Sequence, residues 1–170
     1  MRLSEGFKSK YAPTWSTGNA REIIAASWLE LMGIFVKPTG HGTLSSDLLP
    51  GYHRDAMSKF DFFCPALSCF FEVTGTDWRK KDSAKRYPNP IIPVLKAKVD
   101  AAEYYGVEKH LWFVAVAEMQ GEVRFLPCPR AKEFPLGQYA KGEGAYYMVP
   151  WDSWLTPARA LEKLARRLMR

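Results

Sequence analysis

Between Asn19 and Met32 the apolar residues Ala25, Trp28, Leu29 and Met32 recur at steps of three and four, the period of one helical face. Asn19-Ala20-Arg21-Glu22 reads as a capping box that opens this helix, with Glu22 at its third position. Gly33 closes it, and Ile34 to Val36 begins a strand. Residues 37–55 show no period and are rich in Gly, Pro, Ser and Thr, so they read as irregular. Lys59 to Cys64 and Ser68 to Thr74 are strand-like. Only Pro65-Ala66-Leu67 separates them, which predicts a hairpin. Thr76 to Asn89 reads as a basic loop.

Pro90 and Pro93 suit the start of a helix that runs to Tyr105, with Gly106 just past its end. Leu111 to Ala117 is a continuous apolar run of β-formers, the signature of a central strand buried on both faces. Gly121 turns the chain into a further strand, Val123 to Leu126. Residues 127–144 are punctuated by Pro and Gly and read as loop, and Tyr146 to Val149 reads as a late edge strand. Thr156 caps a last amphipathic helix with Leu161, Leu164 and Leu168 on its apolar side. The order α-β-β-β-α-β-β plus a C-terminal helix predicts an α/β fold, one mixed sheet flanked by helices.

Length and composition narrow the class. A chain of 170 residues suits one domain of about 150 residues or a little more. We take 1–170 as a single domain, with a core over about 18–126 and a C-terminal extension over 127–170. Trp, Tyr and Phe number 6, 8 and 10, or 14% of the chain, which supplies a large core and excludes disorder as the main state. Leu111 to Ala117 is far too short to span a bilayer, and no membrane partner is expected. Met1 to Lys10 is charged and lacks the apolar run of a secretory signal. Cys64, Cys69 and Cys128 lack close metal-ligand spacing and fit buried thiols in a reducing cytoplasm.

The net charge of +6 is unevenly spread. Residues 78–98 hold seven basic side chains and one acid, net +6, and residues 156–170 hold five and one, net +4. The remainder is therefore −4, so a polyanionic partner would meet one of two segments.

Asp61 and Glu72 each interrupt an apolar run, Phe60-Asp61-Phe62-Phe63 and Phe70-Phe71-Glu72-Val73. A buried carboxylate is costly without a partner. A salt bridge or an edge position would satisfy either one; a divalent cation would satisfy both together, and Mg²⁺ takes one or two carboxylates plus waters. Glu22 projects about 60° from Ala25 on its helix, bordering the apolar face, so it can serve the cap or reach the same site.

A helix with a Glu in its first turn, then Asp, about ten residues, then Glu-x-Thr where Glu-x-Lys is usual, then a helix and an apolar strand, resembles the PD-(D/E)XK nuclease superfamily. The likeness spans residues 18–126, and the size is similar to that of its archaeal and phage Holliday junction resolvases. It departs at Phe60, where Pro is common, and at Thr74, where the motif's lysine belongs. The superfamily sometimes moves that lysine to the following helix. With a buried stripe of Leu95, Val99, Ala102 and Gly106, Lys98 lies beside the stripe and Lys96 further towards solvent. Lys98 is therefore the preferred replacement, with Lys96 in reserve.

The resemblance implies a restriction-endonuclease-like αβββαβ core and Mg²⁺ (or Mn²⁺) held by Asp61, Glu72 and the Val73 carbonyl. Glu22 would orient the ion or its water, Lys98 the nucleophile, and Thr74 would hydrogen-bond a water or phosphate. The implied activity is hydrolysis of DNA phosphodiester bonds. The favoured substrate is a Holliday junction cut by a homodimer in the cytoplasm of a prokaryotic cell or phage-infected host. A restriction or repair nuclease is the alternative within the class. A nucleic-acid-binding or assembly module that keeps the fold and has lost catalysis is the alternative outside it, favoured by Thr74. Arg79, Lys80, Lys81, Lys85 and Arg86 would hold phosphates, with Trp78 and Tyr87 stacking on bases. A nucleophile elbow and a phosphate-binding Gly-rich loop are both missing from the sequence, and His41, His53 and His110 are too scattered for zinc.

Overall fold

The computed structural model describes residues 17–39, 60–75, 89–117, 120–138 and 144–169. Helix α1 (Thr17–Leu31) is followed by β1 (Lys37–Pro38), β2 (Phe62–Cys64), β3 (Cys69–Gly75) and β4 (Ile91–Leu95). Then come α2 (Lys96–Tyr104), β5 (Leu111–Ala117), β6 (Glu122–Pro127) and the short α3 (Cys128–Ala131). The chain continues through β7 (Leu136–Gln138), β8 (Ala145–Pro150) and α4 (Pro157–Leu168). A mixed five-stranded sheet has the order β1-β2-β3-β5-β6, and β4, β8 and β7 form a second, antiparallel sheet.

All seven residues of β5 are buried, as its unbroken apolar run predicts. Their side chains alternate between two cores. Leu111, Phe113, Ala115 and Ala117 face a core built with Phe60, Phe63 and Phe70, Val99 and Ala102 of α2, and the second sheet. Trp112, Val114 and Val116 face a core built with Phe62, Phe71, Ala25 and Leu29 of α1, and Ala160 and Leu164 of α4. The five phenylalanines around the carboxylates thus divide three to one face and two to the other. A pair in the first core, Phe63 and Phe70, has ring centroids 4.8 Å apart.

The β2–β3 hairpin forms as predicted, with Phe62 opposite Phe71 and Cys64 opposite Cys69. Because β3 and β5 run parallel, the chain between them must cross over, and α2 lies in that crossover on the Phe70 and Phe113 face.

Several sequence expectations are corrected. Helix α1 begins at Thr17, so Asn19 is inside it and Glu22 falls in its second turn; the capping-box reading fails. The segment offers Ser16, Thr17 and Asn19, all residues that favour helix starts, and sequence alone does not choose among them. The C-terminal end is as expected: Gly33 has φ +79°, and Ile34 N–H donates to the Leu29 carbonyl at 2.8 Å. The first short strand is Lys37–Pro38 rather than residues 34–36.

The helix expected from Pro90 starts only at Lys96, since residues 91–95 form β4. Ile91, Ile92 and Val94 favour a strand, and Pro93 is tolerated because β4 is an edge. Residues 127–144, read as loop, contain α3 and β7. The late strand is central rather than an edge, paired with β4 on one side and β7 on the other. In α4 the Thr156 cap forms, its hydroxyl accepting from Arg159 N–H, but of the three leucines Leu164 is buried while Leu161 and Leu168 are exposed.

Candidate functional site

Counting outward from the Cys64–Cys69 pair places Asp61 opposite Glu72, one step beyond the last regular pair of the hairpin. Asp61 there caps the end of β2: its Oδ2 accepts from Val73 N–H at 2.7 Å. Its own carbonyl accepts from Thr39 N–H at 2.9 Å, and the Thr39 hydroxyl donates to the Phe60 carbonyl. Backbone thus fixes Asp61 from both sides.

Glu72 lies mid-way along β3 and aims into the Phe70 and Phe113 face. One oxygen, Oε1, ion-pairs with Lys98 Nζ at 3.0 Å. The other, Oε2, is buried with no hydrogen-bond donor. The carboxylates of Asp61 and Glu72 are within hydrogen-bonding reach of each other. Burial, and then the charge of Asp61, push the Glu72 carboxyl well above the usual carboxylate range, while Lys98 pulls the other way. Two close acceptors with one orphaned oxygen are stable only if something positive, a proton or a cation, lies between them.

Helix α2 presents its two lysines differently. Val99 and Ala102 are fully buried, and Lys98 beside them reaches Glu72, its Nζ 6.0 Å from the Phe60 ring centre. Lys96 turns outward and pairs with Asp100 at 2.6 Å on the surface. Thr74 shares a face with Glu72, but its hydroxyl donates to the Pro93 carbonyl at 3.0 Å. It ties β3 to β4, so the strand supplies no cation at this position.

Glu22 projects from α1 towards the same end of the sheet. Burial, then the Asp61 charge, push its carboxyl up to about 7, against a lowering pull from Lys98. Among the described residues no three His, Cys, Asp or Glu side chains converge closely enough to enclose a metal ion. Asp61 and Glu72 are the close pair, with Glu22 further out.

Next to Glu22, the sequence reading overlooked Arg21. The end of its side chain lies beside Gly75, the last residue of β3, in the space a Cβ at position 75 would take. The signal was a Gly directly after Glu-Val-Thr. Trp78, Arg79, Lys80, Lys81, Lys85, Arg86 and Tyr87 lie outside the described residues. The three cysteines are free and buried, and burial pushes the Cys69 thiol up to about 11 and that of Cys128 to about 12, which leaves neither as a nucleophile.

The donor set suits a hard divalent cation, with two carboxylates, one of them holding an unsatisfied buried oxygen, at a strand end beside a lysine. A family model, the viral/archaeal nuclease, matches residues 24–157. The chain belongs to the viral/archaeal nuclease family. That match takes in every residue placed at the site above except Arg21 and Glu22, which lie just ahead of it. The uncharacterized protein D-244 of Sulfolobus spindle-shape virus 1 is similar, 22% identical over 135 residues, 71% of this chain and 55% of its own length. The chain thus spans about half the length of this curated relative.

The fold is also similar to that of D212, described as a nuclease from a fusellovirus. The TM-score is 0.52 at 15% identity, over 99% of this chain and 97% of that one. This likeness places the mixed sheet, its flanking helices and the C-terminal helix in a known nuclease architecture. Among the described residues no helix is long and apolar enough to cross a membrane.

Proposed function

We propose that this protein is a metal-dependent endonuclease that hydrolyses DNA phosphodiester bonds. The observation that carries the reading is the convergence of Asp61, Glu72 and Lys98 at one strand end, with Glu72 Oε2 orphaned. Membership in a nuclease family supports it.

Asp61 and Glu72 would hold Mg²⁺ or Mn²⁺, with the Val73 carbonyl as a third donor. The ion, when bound, supplies an activated water and charge stabilisation at the leaving oxygen. Asp61 is kept in place for this task by Val73 N–H, so little reorganisation is needed. Lys98, paired with Glu72, would position the nucleophile and offset negative charge. Glu22, with a carboxyl near neutrality, suits orienting a water and accepting its proton. Thr74 acts by holding β4 against β3 rather than on substrate. The basic residues from Arg79 to Arg86, directly after β3 in sequence, would hold flanking phosphates, with Trp78 and Tyr87 on bases.

Within this class we infer branched DNA, a Holliday junction, as substrate, cut by a homodimer whose two sites are related by a two-fold axis. The setting would be the cytoplasm of an infected prokaryotic cell. A restriction or repair role would show a preference for linear duplex instead. Thr74, bound to Pro93 where a lysine is usual, favours a second reading as a binding module without catalysis. The test is a set of labelled substrates of equal length: four-way junction, fork, linear duplex and single strand, with Mg²⁺ or Mn²⁺. Paired symmetric nicks in the junction at a rate at least tenfold above linear duplex are expected. Equal rates on all shapes contradict junction specificity, and tight binding with no cleavage supports the binding module.

A further inference from the structure

We propose that Thr39 is a positioning residue of the metal site, which holds the backbone of Asp61 where its carboxylate can meet the ion together with Glu72. The inference rests on the nuclease reading above and names a residue that reading does not use.

Among the described residues Thr39 is the most deeply buried polar residue, 3% exposed. It directly follows β1, and the register of Lys37 with Phe63 and Pro38 with Phe62 continues to place it opposite Asp61. A hydroxyl buried there is costly without a partner. Its partner is the Phe60 carbonyl, to which it donates. The Thr39 N–H donates to the Asp61 carbonyl at 2.9 Å. One residue therefore holds both carbonyls that flank the Asp61 Cα. Those carbonyls belong to the two planar peptide units whose rotations about that Cα aim the Asp61 side chain. Branching at Cβ restricts χ1 of threonine, so the backbone that makes one bond also directs the hydroxyl that makes the other.

This hold matters because regular pairing stops short of Asp61. Strand β2 begins at Phe62, and its ladder with β3 ends at the pair Phe62 and Phe71. Glu72, by contrast, is carried within β3 by the parallel register with β5. The Asp61 carboxylate has the Val73 N–H as its backbone donor, at 2.7 Å, and lies within hydrogen-bonding reach of Glu72. Two carboxylates at that range repel each other when both are charged, so their spacing must be enforced by the backbones that bear them. The ladder enforces it for Glu72, and Thr39 for Asp61. Removing the hydroxyl frees the peptide between Phe60 and Asp61 and loosens the pair of ligands before any ion binds.

The test measures Mn²⁺ affinity by isothermal titration calorimetry, melting temperature in EDTA, and plasmid nicking in Mn²⁺. It compares the full chain with Thr39→Val, which keeps the shape and loses the hydroxyl, and Thr39→Ser, which keeps the hydroxyl and loses the methyl group. Groups that orient metal ligands typically cost 10–100-fold in affinity or activity when removed. Thr39→Val is therefore expected to raise the Mn²⁺ Kd about tenfold and to slow nicking by a similar factor, and Thr39→Ser to stay within about threefold on both.

A merely structural Thr39 would lower the melting temperature of Thr39→Val and leave its Mn²⁺ Kd, measured well below melting, unchanged. That result overturns this inference alone, as does equal weakening in Thr39→Ser and Thr39→Val. If Thr39→Val does not fold, Thr39→Cys, whose thiol is a poor donor, decides in its place. Weakened Mn²⁺ binding then supports the inference, and unaltered binding overturns it. An unaltered chain that binds Mn²⁺ without cutting DNA overturns the nuclease reading and leaves the Mn²⁺ affinities to decide this inference. An unaltered chain that does neither overturns both.

Discussion

Asp61 and Glu72 show how two residues that look like errors in an apolar strand become the most constrained atoms of the site. Each sits among phenylalanines, where a lone charge is unfavourable. Backbone donors settle Asp61, whereas Glu72 is left with one oxygen unsatisfied. The same low-polarity surroundings raise the Glu22 carboxyl to about 7, which gives a pH signature. In the unfolded chain Glu22 loses its proton near 4.5; in the folded chain it keeps it to about 7. Between these values the native state binds more protons, so this group's contribution to stability is full below pH 4.5 and is lost as pH rises through 7. In EDTA, Glu22→Gln should melt close to the unaltered chain at pH 4 and a few degrees above it at pH 8. A gap that is constant with pH, measured by differential scanning fluorimetry, would show that Glu22 is not perturbed.

At this scale the sequence was legible where burial cost identified a residue. Asp61 and Glu72 were found that way, and the structure brings them together. Arg21 was missed because nothing local distinguishes it. Its neighbour Gly75 is fifty-four residues away along the chain and adjacent only in the fold.

Helix α2 decides which lysine meets the site. Its phase was readable because Val99 and Ala102 define a buried stripe with few alternatives, and Lys98 follows from that stripe by geometry. Its start was not readable. Pro90 and Pro93 look like helix openers, yet they belong to β4, whose pairing with β8 is a contact fifty residues long in sequence. A strand edge tolerates proline, so the residue type carries both meanings and only the partner strand resolves them.

The same long-range pairing makes β8 central, which no local pattern predicts. Helix α4 likewise buries Leu164 but leaves Leu161 and Leu168 exposed, because the neighbouring contact is with Ala160. The element-scale prediction is a pair of variants compared by single-turnover cleavage. Lys98→Ala should slow the reaction on the order of 10²-fold. Lys96→Ala should change it by no more than about twofold, since its partner is the solvent-exposed Asp100. The reverse order would mean that the helix turns the other lysine to the substrate.

For the molecule as a whole, two cores on opposite faces of one sheet hold β3 from both sides. β5 is buried throughout and anchors β3 in parallel register, Glu72 opposite Phe113. The hairpin brings Asp61 in from the other side, the crossover delivers Lys98 from one face, and α1 delivers Glu22 from the opposite one. Three separate stretches of chain thus converge on one point, which is why the site was legible as a list of residues and not as a shape.

Asp61 and Glu72 are proposed to form a metal-dependent phosphodiester-cleaving site. Its most direct test is nicking of supercoiled plasmid DNA by the full chain in Mg²⁺ or Mn²⁺ and in EDTA, alongside Asp61→Asn and Glu72→Gln. The expected result is nicking that requires the divalent ion and falls by at least about 10²-fold in each variant, both variants remaining folded. Nicking that persists in EDTA, or at the unaltered rate in either variant, would contradict it.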